Sequence, residues 1–290
     1  MKFAKDAEGK RILPFKHGRG ICPVCESTVI ARCGNKRAHH WAHESLVSCA
    51  YTEYEHTHET PWHINWKNHF PSSWQEIILR SPEGEKHISD VRTPHGLTIE
   101  FQHSPISEEE RISREKFYSS EGGMVWVVDG TKSKHDWNRW YNSRLLRESS
   151  CVLSCGGRII ENAKEMLPAE WLRCAVPVFF DFLGTEPEDE AIPEKKELVC
   201  ILSSKDQQKH LVIPIQKELF IELCKTEKLL PWIKGKEAPK QIYSLYTLPP
   251  ISIPRPIQTP RHIVQPVSGG VLVNGIFVPN PKPRKRNHRL

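Results

Sequence analysis

The sequence predicts a mixed α/β (α+β) protein, and three observations predict it. Residues Lys86 to His103 alternate in character on either side of Pro94-His95-Gly96, the mark of a β-hairpin. Upstream, Trp62, Trp66 and Phe70 recur at helical spacing. Downstream, Met124-Val-Trp-Val-Val128 is a short apolar run that suits a central, buried strand. With a further strand at Trp74 to Arg80, the order is helix, three antiparallel strands, helix, strand. The last crossover is expected to be right-handed.

In chain order, residues 1 to 20 read as a short strand or hairpin lead-in with Ile12 to Phe15 as its apolar part. Cys22-Pro-Val-Cys25 follows, a tight knuckle whose two thiolates can hold one metal. Val29 to Ala31 continue as a strand, with His39-His40-Trp41-Ala42-His43 and Cys49 beyond it. Structural zinc takes four S/N ligands in a tetrahedron. Cys22, Cys25, His43 and Cys49 are the expected Zn²⁺ ligands, with His40 in reserve. Cys33 is a weaker candidate, because it ends the strand beside a Gly-Asn turn. A redox C-x-x-C is the competing reading, but it should open a helix beside a βαβ unit, and here a β-like segment follows.

Residues 50 to 58, polar and rich in Glu and His, read as a loop. A helix follows from about Glu59 to Phe70. Beside its apolar stripe, Glu59, His63 and Lys67 form a polar one. Thr60-Pro61 allows a different start, with Thr60 as N-cap, Pro61 first in the helix and Glu59 just outside it. Polar stripes of this kind are commonly solvated faces.

In the hairpin, Pro94 fixes φ and Gly96 permits φ > 0. A three-residue loop sets Thr93 opposite Leu97 and Asp90 opposite Glu100, with side chains roughly 5 Å apart. Gln102 shares the face of Glu100, while Leu97, Ile99 and Phe101 point into a core. Two carboxylates so close repel unless a cation lies between them, and hard oxygen ligands favour Mg²⁺ or Mn²⁺. A solvated acidic pair is the competing reading. As neither carboxylate is on the apolar face, removing either is expected to spare the fold and even relieve repulsion.

Ser107-Glu-Glu-Glu110 is a capping box that opens a helix to about Tyr118, and Gly122-Gly123 ends it. Beyond residue 150 the signals thin. Cys151, Cys155 and Cys174 fit no ligand spacing and read as buried thiols. Leu211 to Ile215 reads as a strand, Lys217 to Leu230 as an amphipathic helix, and Pro249 to Pro266 as a linker or extended wrap. Val271 to Val278 suits a hairpin around Asn274-Gly275.

A chain of 290 residues with ordinary composition is expected to be soluble, with one large or two medium domains. No apolar run reaches the roughly 20 residues of a membrane span. Met1 to Asp6 lacks a signal-peptide core, so a cytoplasmic protein without a membrane partner is expected. Nine cysteines, an odd number, favour metal ligation over disulfides in a reducing compartment. The net charge is +6, and Lys282, Arg284, Lys285, Arg286 and Arg289 are crowded at the end. This permits a polyanionic partner without demanding one. A solvated, disordered tail is the equal reading. Oligomeric state leaves no mark.

Several separate motifs occur together. Cys22-Pro-Val-Cys25, His40-Trp-Ala-His43, Glu59-Thr-Pro-Trp-His63 with Lys67, Asp90-Val-Arg92 and Ile99-Glu-Phe-Gln-His-Ser-Pro-Ile-Ser107 resemble the competence protein CoiA-like family. The likeness covers about residues 20 to 130, and a weaker one continues through Pro177 to Phe182. The element order resembles the wider PD-(D/E)XK, restriction-endonuclease-like nuclease core. This resemblance implies a metal-dependent nuclease acting on DNA, preceded by a zinc module. Asp90 and Glu100 would ligate Mg²⁺ or Mn²⁺, and Glu59 would join or support them. Gln102 stands where the superfamily usually has Lys. An amide can only orient the attacking water, so Lys67 would supply the missing cation. A catalytically weak or inactive, zinc-containing DNA-binding accessory protein is the rival. An HNH-type nuclease built on the histidines fits the strand pattern poorly. The domains drawn this way are a zinc-binding module at 1–55, the nuclease-like core at 56–150, a region of unknown role at 151–248, and a Pro-rich segment with basic tail at 249–290.

Overall fold

Side-chain alternation and tight turns set the architecture of the computed structural model, in which the described strands form three sheets. It describes residues 1–35, 38–45, 47, 49, 59–81, 84–132, 137–141, 157–186, 191, 193–203, 209–234, 264–267, 270–273 and 276–279. The chain divides into two units, Met1–Pro249 and Pro250–Leu290.

The N-terminal sheet contains β1 (Ala4–Lys5), β2 (Arg11–Ile12), β3 (Arg19–Ile21), β4 (Thr28–Arg32) and β5 (His40–His43), in the order β2-β1-β3-β4-β5. Its small core packs Ala4, Val29 and Trp41 around Cys22 and Cys49. The expected lead-in forms the β1–β2 hairpin and joins this core only in part: Ile12 packs against it and the Phe15 ring meets Trp41 edge-on. Leu13 and Phe15 are more than half exposed, because β2 stops at Ile12 and the chain turns before reaching β3.

The large sheet follows. Its first half contains α1 (Pro61–Asn68), β6 (Gln75–Arg80), β7 (Lys86–Arg92), β8 (Thr98–Gln102), α2 (Glu108–Ser120) and β9 (Met124–Asp129). After α3 (Trp137–Tyr141) come β10 (Arg158–Glu161), β11 (Val178–Asp181), β12 (Glu197–Ser203) and β13 (Lys209–Gln216). The strand order is β10-β13-β12-β11-β9-β8-β7-β6. Strands β6, β7 and β8 are antiparallel neighbours, whereas β8, β9 and β11 run parallel. Residues 158–216, to which the sequence assigned no role, thus extend the sheet begun by residues 75–129. The expected helix at Lys217 to Leu230 is two, α4 (Lys217–Lys225) and α5 (Leu229–Lys234), broken where Glu227 takes φ +61°.

Strand periodicity explains the layers. Val125 and Val127 of β9 face the α1 side, against Trp62, Trp66, Phe101 and Phe220. Met124, Trp126 and Val128 face the α2 side, against Phe117, Tyr118 and Trp171. Both faces of β9 are therefore dry, and all six of its residues are buried. Ser107 caps α2 by accepting from the Glu110 N–H at 3.1 Å. Among the described residues, no helix is long and apolar enough to cross a membrane.

The second unit contains β14 (Val264–Val267), β15 (Gly270–Val273) and β16 (Ile276–Pro279). Val273 pairs with Ile276, in keeping with a two-residue connection. β14 overlaps the end of the stretch, Pro249 to Pro266, read as linker or wrap. The Asn274-Gly275 turn, the polar loop at 50–58, Cys151, Cys155 and the basic tail lie outside the described residues.

Candidate active site and metal centre

The N-terminal knuckle is closed by the Cys22 N–H donating to Ser27 O and the Glu26 N–H donating to Cys22 O, with Glu26 at φ +63°. This turn brings Cys25 to His43 at the end of β5, where Cys25 Sγ lies 3.3 Å from His43 Nε2. Cys22 Sγ lies 3.8 Å from Cys49 Sγ. Bonds of about 2.3 Å from zinc to two sulfurs of a tetrahedron put the sulfurs roughly 3.8 Å apart. All four donor atoms lie within 4.8 Å of one another, so this Cys₃His cluster can hold zinc. Burial pushes the Cys22 thiol up. Burial pushes Cys25 the same way, but hydrogen bonds from Ser27 and the partners Cys22 and His43 outweigh it and bring Cys25 down to about 6. His40 stays outside the cluster and bonds Ala38 O instead.

A second cluster is built from α1. Thr60 adopts extended φ/ψ and caps the helix, its Oγ1 accepting from the His63 N–H, with Pro61 as the first helical residue. Glu59 therefore lies just outside the helix, yet its carboxylate still meets Lys67 Nζ at 2.7 Å. Lys67 Nζ also lies 3.0 Å from Glu76 and 3.9 Å from Asp90. The Lys67 side chain is only 4% exposed. Burial opposes its charge, but Glu76, Glu59 and Asp90 outweigh burial and hold its pKa above the ordinary lysine value. Lys67 and, in part, His63 of the polar stripe are thus turned into the protein, while Glu59 stays at the surface.

Glu76 reaches Lys67 through strained backbone. It sits at φ +49° inside β6, a region non-glycine residues rarely adopt. The β6–β7 pairing passes from Gln75↔Val91 to Ile77↔Ser89, skipping Glu76 and Asp90. The Lys2 N–H donates to both Glu76 oxygens, at 3.1 and 2.9 Å. Burial raises the Glu76 carboxyl, but Lys67 and the chain's amino terminus win and lower it.

The hairpin pairs in the expected register at Val91↔Ile99 and Arg92↔Thr98. Beyond these pairs the carboxylates replace the ladder. The Asp90 N–H donates to Glu100 Oε1 at 3.1 Å, and the Phe101 N–H donates to Asp90 Oδ2 at 2.9 Å. His63 Nε2 donates to Phe101 O at 2.5 Å. Deleting either carboxylate would strand a backbone donor, so the expectation that removal relieves the fold is corrected here. Glu100 is 1% exposed, with Arg114 of α2 donating to its Oε2 at 2.9 Å. Burial first, then the Asp90 charge, push the Glu100 carboxyl up to about 8 against the pull of Arg114.

Gln102 shares the strand, and its amide Nε2 donates to Ser104 O at 2.6 Å and not to a carboxylate of the cluster. Sequence reasoning missed Glu76, Arg114, and a His103–Asp129 pair at 2.7 Å. Glu76 carried no signal, being one charged residue in an apolar strand.

Charge balance bears on whether a metal fits. Glu59, Glu76, Asp90 and Glu100 face two buried cations, Lys67 and Arg114, with half-buried Lys2 at the edge. With the Glu100 carboxyl pushed up to about 8 and the chain's amino terminus beside Glu76, the cluster is close to neutral as it stands, and ligation of a divalent cation would release the Glu100 proton. Among the described residues, only the Cys/His cluster brings three or more donor atoms within 4.8 Å of one another. The acids are therefore no preformed cage. Mg²⁺ needs less, since one or two carboxylates with waters and substrate phosphates suffice. Asp90 and Glu100 offer two carboxylates from neighbouring strands.

Two family models match the chain, in order. Competence protein CoiA, N-terminal domain, matches residues 8–52, and Competence protein CoiA, nuclease-like domain, matches residues 89–151. The first match contains the four cysteine and histidine donors. The second contains Asp90, Glu100, Gln102, His103, Arg114 and Asp129, and leaves Glu59, Lys67 and Glu76 outside. No curated protein and no solved structure gives a significant match.

Proposed function

We propose that this chain, a CoiA-like protein by its N-terminal and nuclease-like domains, is a metal-dependent nuclease that hydrolyses phosphodiester bonds in DNA. One observation carries the reading: a charged, buried lysine ringed by carboxylates beside the cross-strand pair Asp90 and Glu100. Asp90 and Glu100 would hold Mg²⁺ or Mn²⁺. The ion would acidify a water and offset charge developing on the phosphate. Lys67 stays an ammonium throughout, so it can stabilise phosphate charge but cannot act as a base. Glu59 and Glu76 fix its position. Gln102 keeps its Oε1 to accept a hydrogen bond from the attacking water, while its amide nitrogen is held by Ser104 O. The zinc module has four donors and no open ligand position, which supports a structural role apart from the chemistry.

The test compares wild type, Asp90→Asn and Glu100→Gln on single- and double-stranded DNA, with Mg²⁺, Mn²⁺ or EDTA. The amides keep an oxygen for the backbone donors and remove the charge. Metal-dependent cleavage by wild type alone is the expected result. Full activity in Asp90→Asn would refute the site. DNA binding without cleavage by wild type would favour the accessory-protein reading, which the engagement of Lys67 by three carboxylates also supports.

A further inference from the structure

Parallel strands β8, β9 and β11 are neighbours, and their carboxyl ends carry His103, Asp129 and Asp181. In open α/β sheets, ligands gather outside these ends. Asp181 is fully engaged, accepting from Trp62, Trp66 and the N–H groups of Leu183 and Gly184. Asp129 is arranged differently. Its Oδ1 accepts from the Thr131 N–H and O–H, at 2.9 and 2.6 Å. Its Oδ2 lies 2.7 Å from His103 Nδ1. The Asp129 side chain is 2% exposed and that of His103 18%. A buried carboxylate thus fixes the tautomer of a histidine that reaches solvent, with Nδ1 as the donor. Among the described residues, none bonds His103 Nε2. The rings of Trp62 and His63 flank it, each at 6.0 Å between centroids. His63, in turn, is committed to Phe101 O and Thr60 beside the Asp90 site.

We propose that His103, oriented by Asp129, is the general acid that protonates the leaving oxygen of the phosphodiester. This rests on the nuclease reading above. Water oxygen bonds to phosphorus while the bond from phosphorus to the departing sugar oxygen breaks. That oxygen keeps the electron pair and takes the proton from His103 Nε2. The proton lost by the attacking water goes to solvent, and solvent reprotonates Nε2. One phosphodiester and one water give one phosphomonoester and one alcohol. Asp129 is a positioning residue that holds the Nδ1 proton and offsets the imidazolium charge.

A purely structural pair, tying the end of β8 to β9, would behave differently in one respect. An alkoxide leaving group needs a proton, whereas a thiolate, with a conjugate acid near pKa 8.5 as in cysteine, leaves without one. Wild type, His103→Gln and Asp129→Asn are compared with Mg²⁺ on one DNA sequence. It is made all-oxygen, or with sulfur at the 3′- or the 5′-bridging position. His103→Gln is expected to cleave the all-oxygen DNA about 10²–10⁴-fold more slowly. It should cleave the sulfur-leaving DNA at close to the wild-type rate, with DNA affinity unchanged. Asp129→Asn should show the same pattern, less strongly. Equal slowing on both substrates, or none on either, would overturn the general acid alone. A wild type as inert as Asp90→Asn would overturn the nuclease reading, and this inference with it.

Discussion

At Lys67, burial and charge pull in opposite directions, and Glu59, Glu76 and Asp90 decide the outcome. Breaking a buried ion pair by removing one partner costs about 3–5 kcal/mol, because the other charge stays behind. Lys67→Met should lose stability on that scale, read as a drop in the urea midpoint, and adding Glu76→Gln should restore part of it. Glu100 brings a pH dependence. Its carboxyl stands at about 8 in the fold against an ordinary 4.5. Between those values the folded protein keeps a proton that the unfolded chain has released. Stability is therefore highest below the unfolded value and falls as pH rises towards 8. Melting of metal-free protein should show this slope, and Glu100→Gln should flatten it. Ligation by Glu100, as proposed, would displace the same proton, so Mg²⁺ affinity should climb to about pH 8 and then level off. Of these residues, Asp90 and Glu100 were legible because strand alternation and a three-residue turn place them opposite each other. Glu76 was not, since its role depends on a local backbone twist that no residue type announces.

Elements show the same division. The C-x-x-C knuckle and the hairpin are local, and short-range spacing was enough to read them. Cys22→Ser should lower zinc content and melt the N-terminal sheet first, as folding of such modules is coupled to the metal. Absence of zinc by elemental analysis, in protein purified without chelator, would refute this. The start of α1 was left between two positions, and Thr60 resolves it by capping. The hairpin turn also makes a contact that sequence cannot show. Gly122 has φ +122°, and a Cβ there would lie 2.7 Å from Gly96 O. Gly122→Ala should therefore destabilise by more than about 1 kcal/mol, measured by denaturant unfolding.

Across the whole molecule, the half of the large sheet contributed by residues 158–216 was foreseen only at Leu211 to Ile215, which lies in β13. The pairing of β11 with β9 spans about fifty residues of sequence, beyond the reach of periodicity. β9 is buried on both faces and bonded on both edges, by β8 and β11. A fragment ending at residue 150 should consequently be insoluble or molten, without the sharp thermal transition of the full chain. A soluble, cooperatively melting fragment would show that the nuclease-like half stands alone. Besides the β9–β11 pairing, one atom ties the halves together: Asp181 Oδ2 of β11 accepts from both Trp62 at 2.9 Å and Trp66 at 2.8 Å, beneath α1. Indole emission is blue in a dry setting and red in water, so these two side chains form a built-in optical gauge. The difference in fluorescence between wild type and Trp62→Phe reports, without any dye, whether the helix carrying Lys67 is seated or lifted.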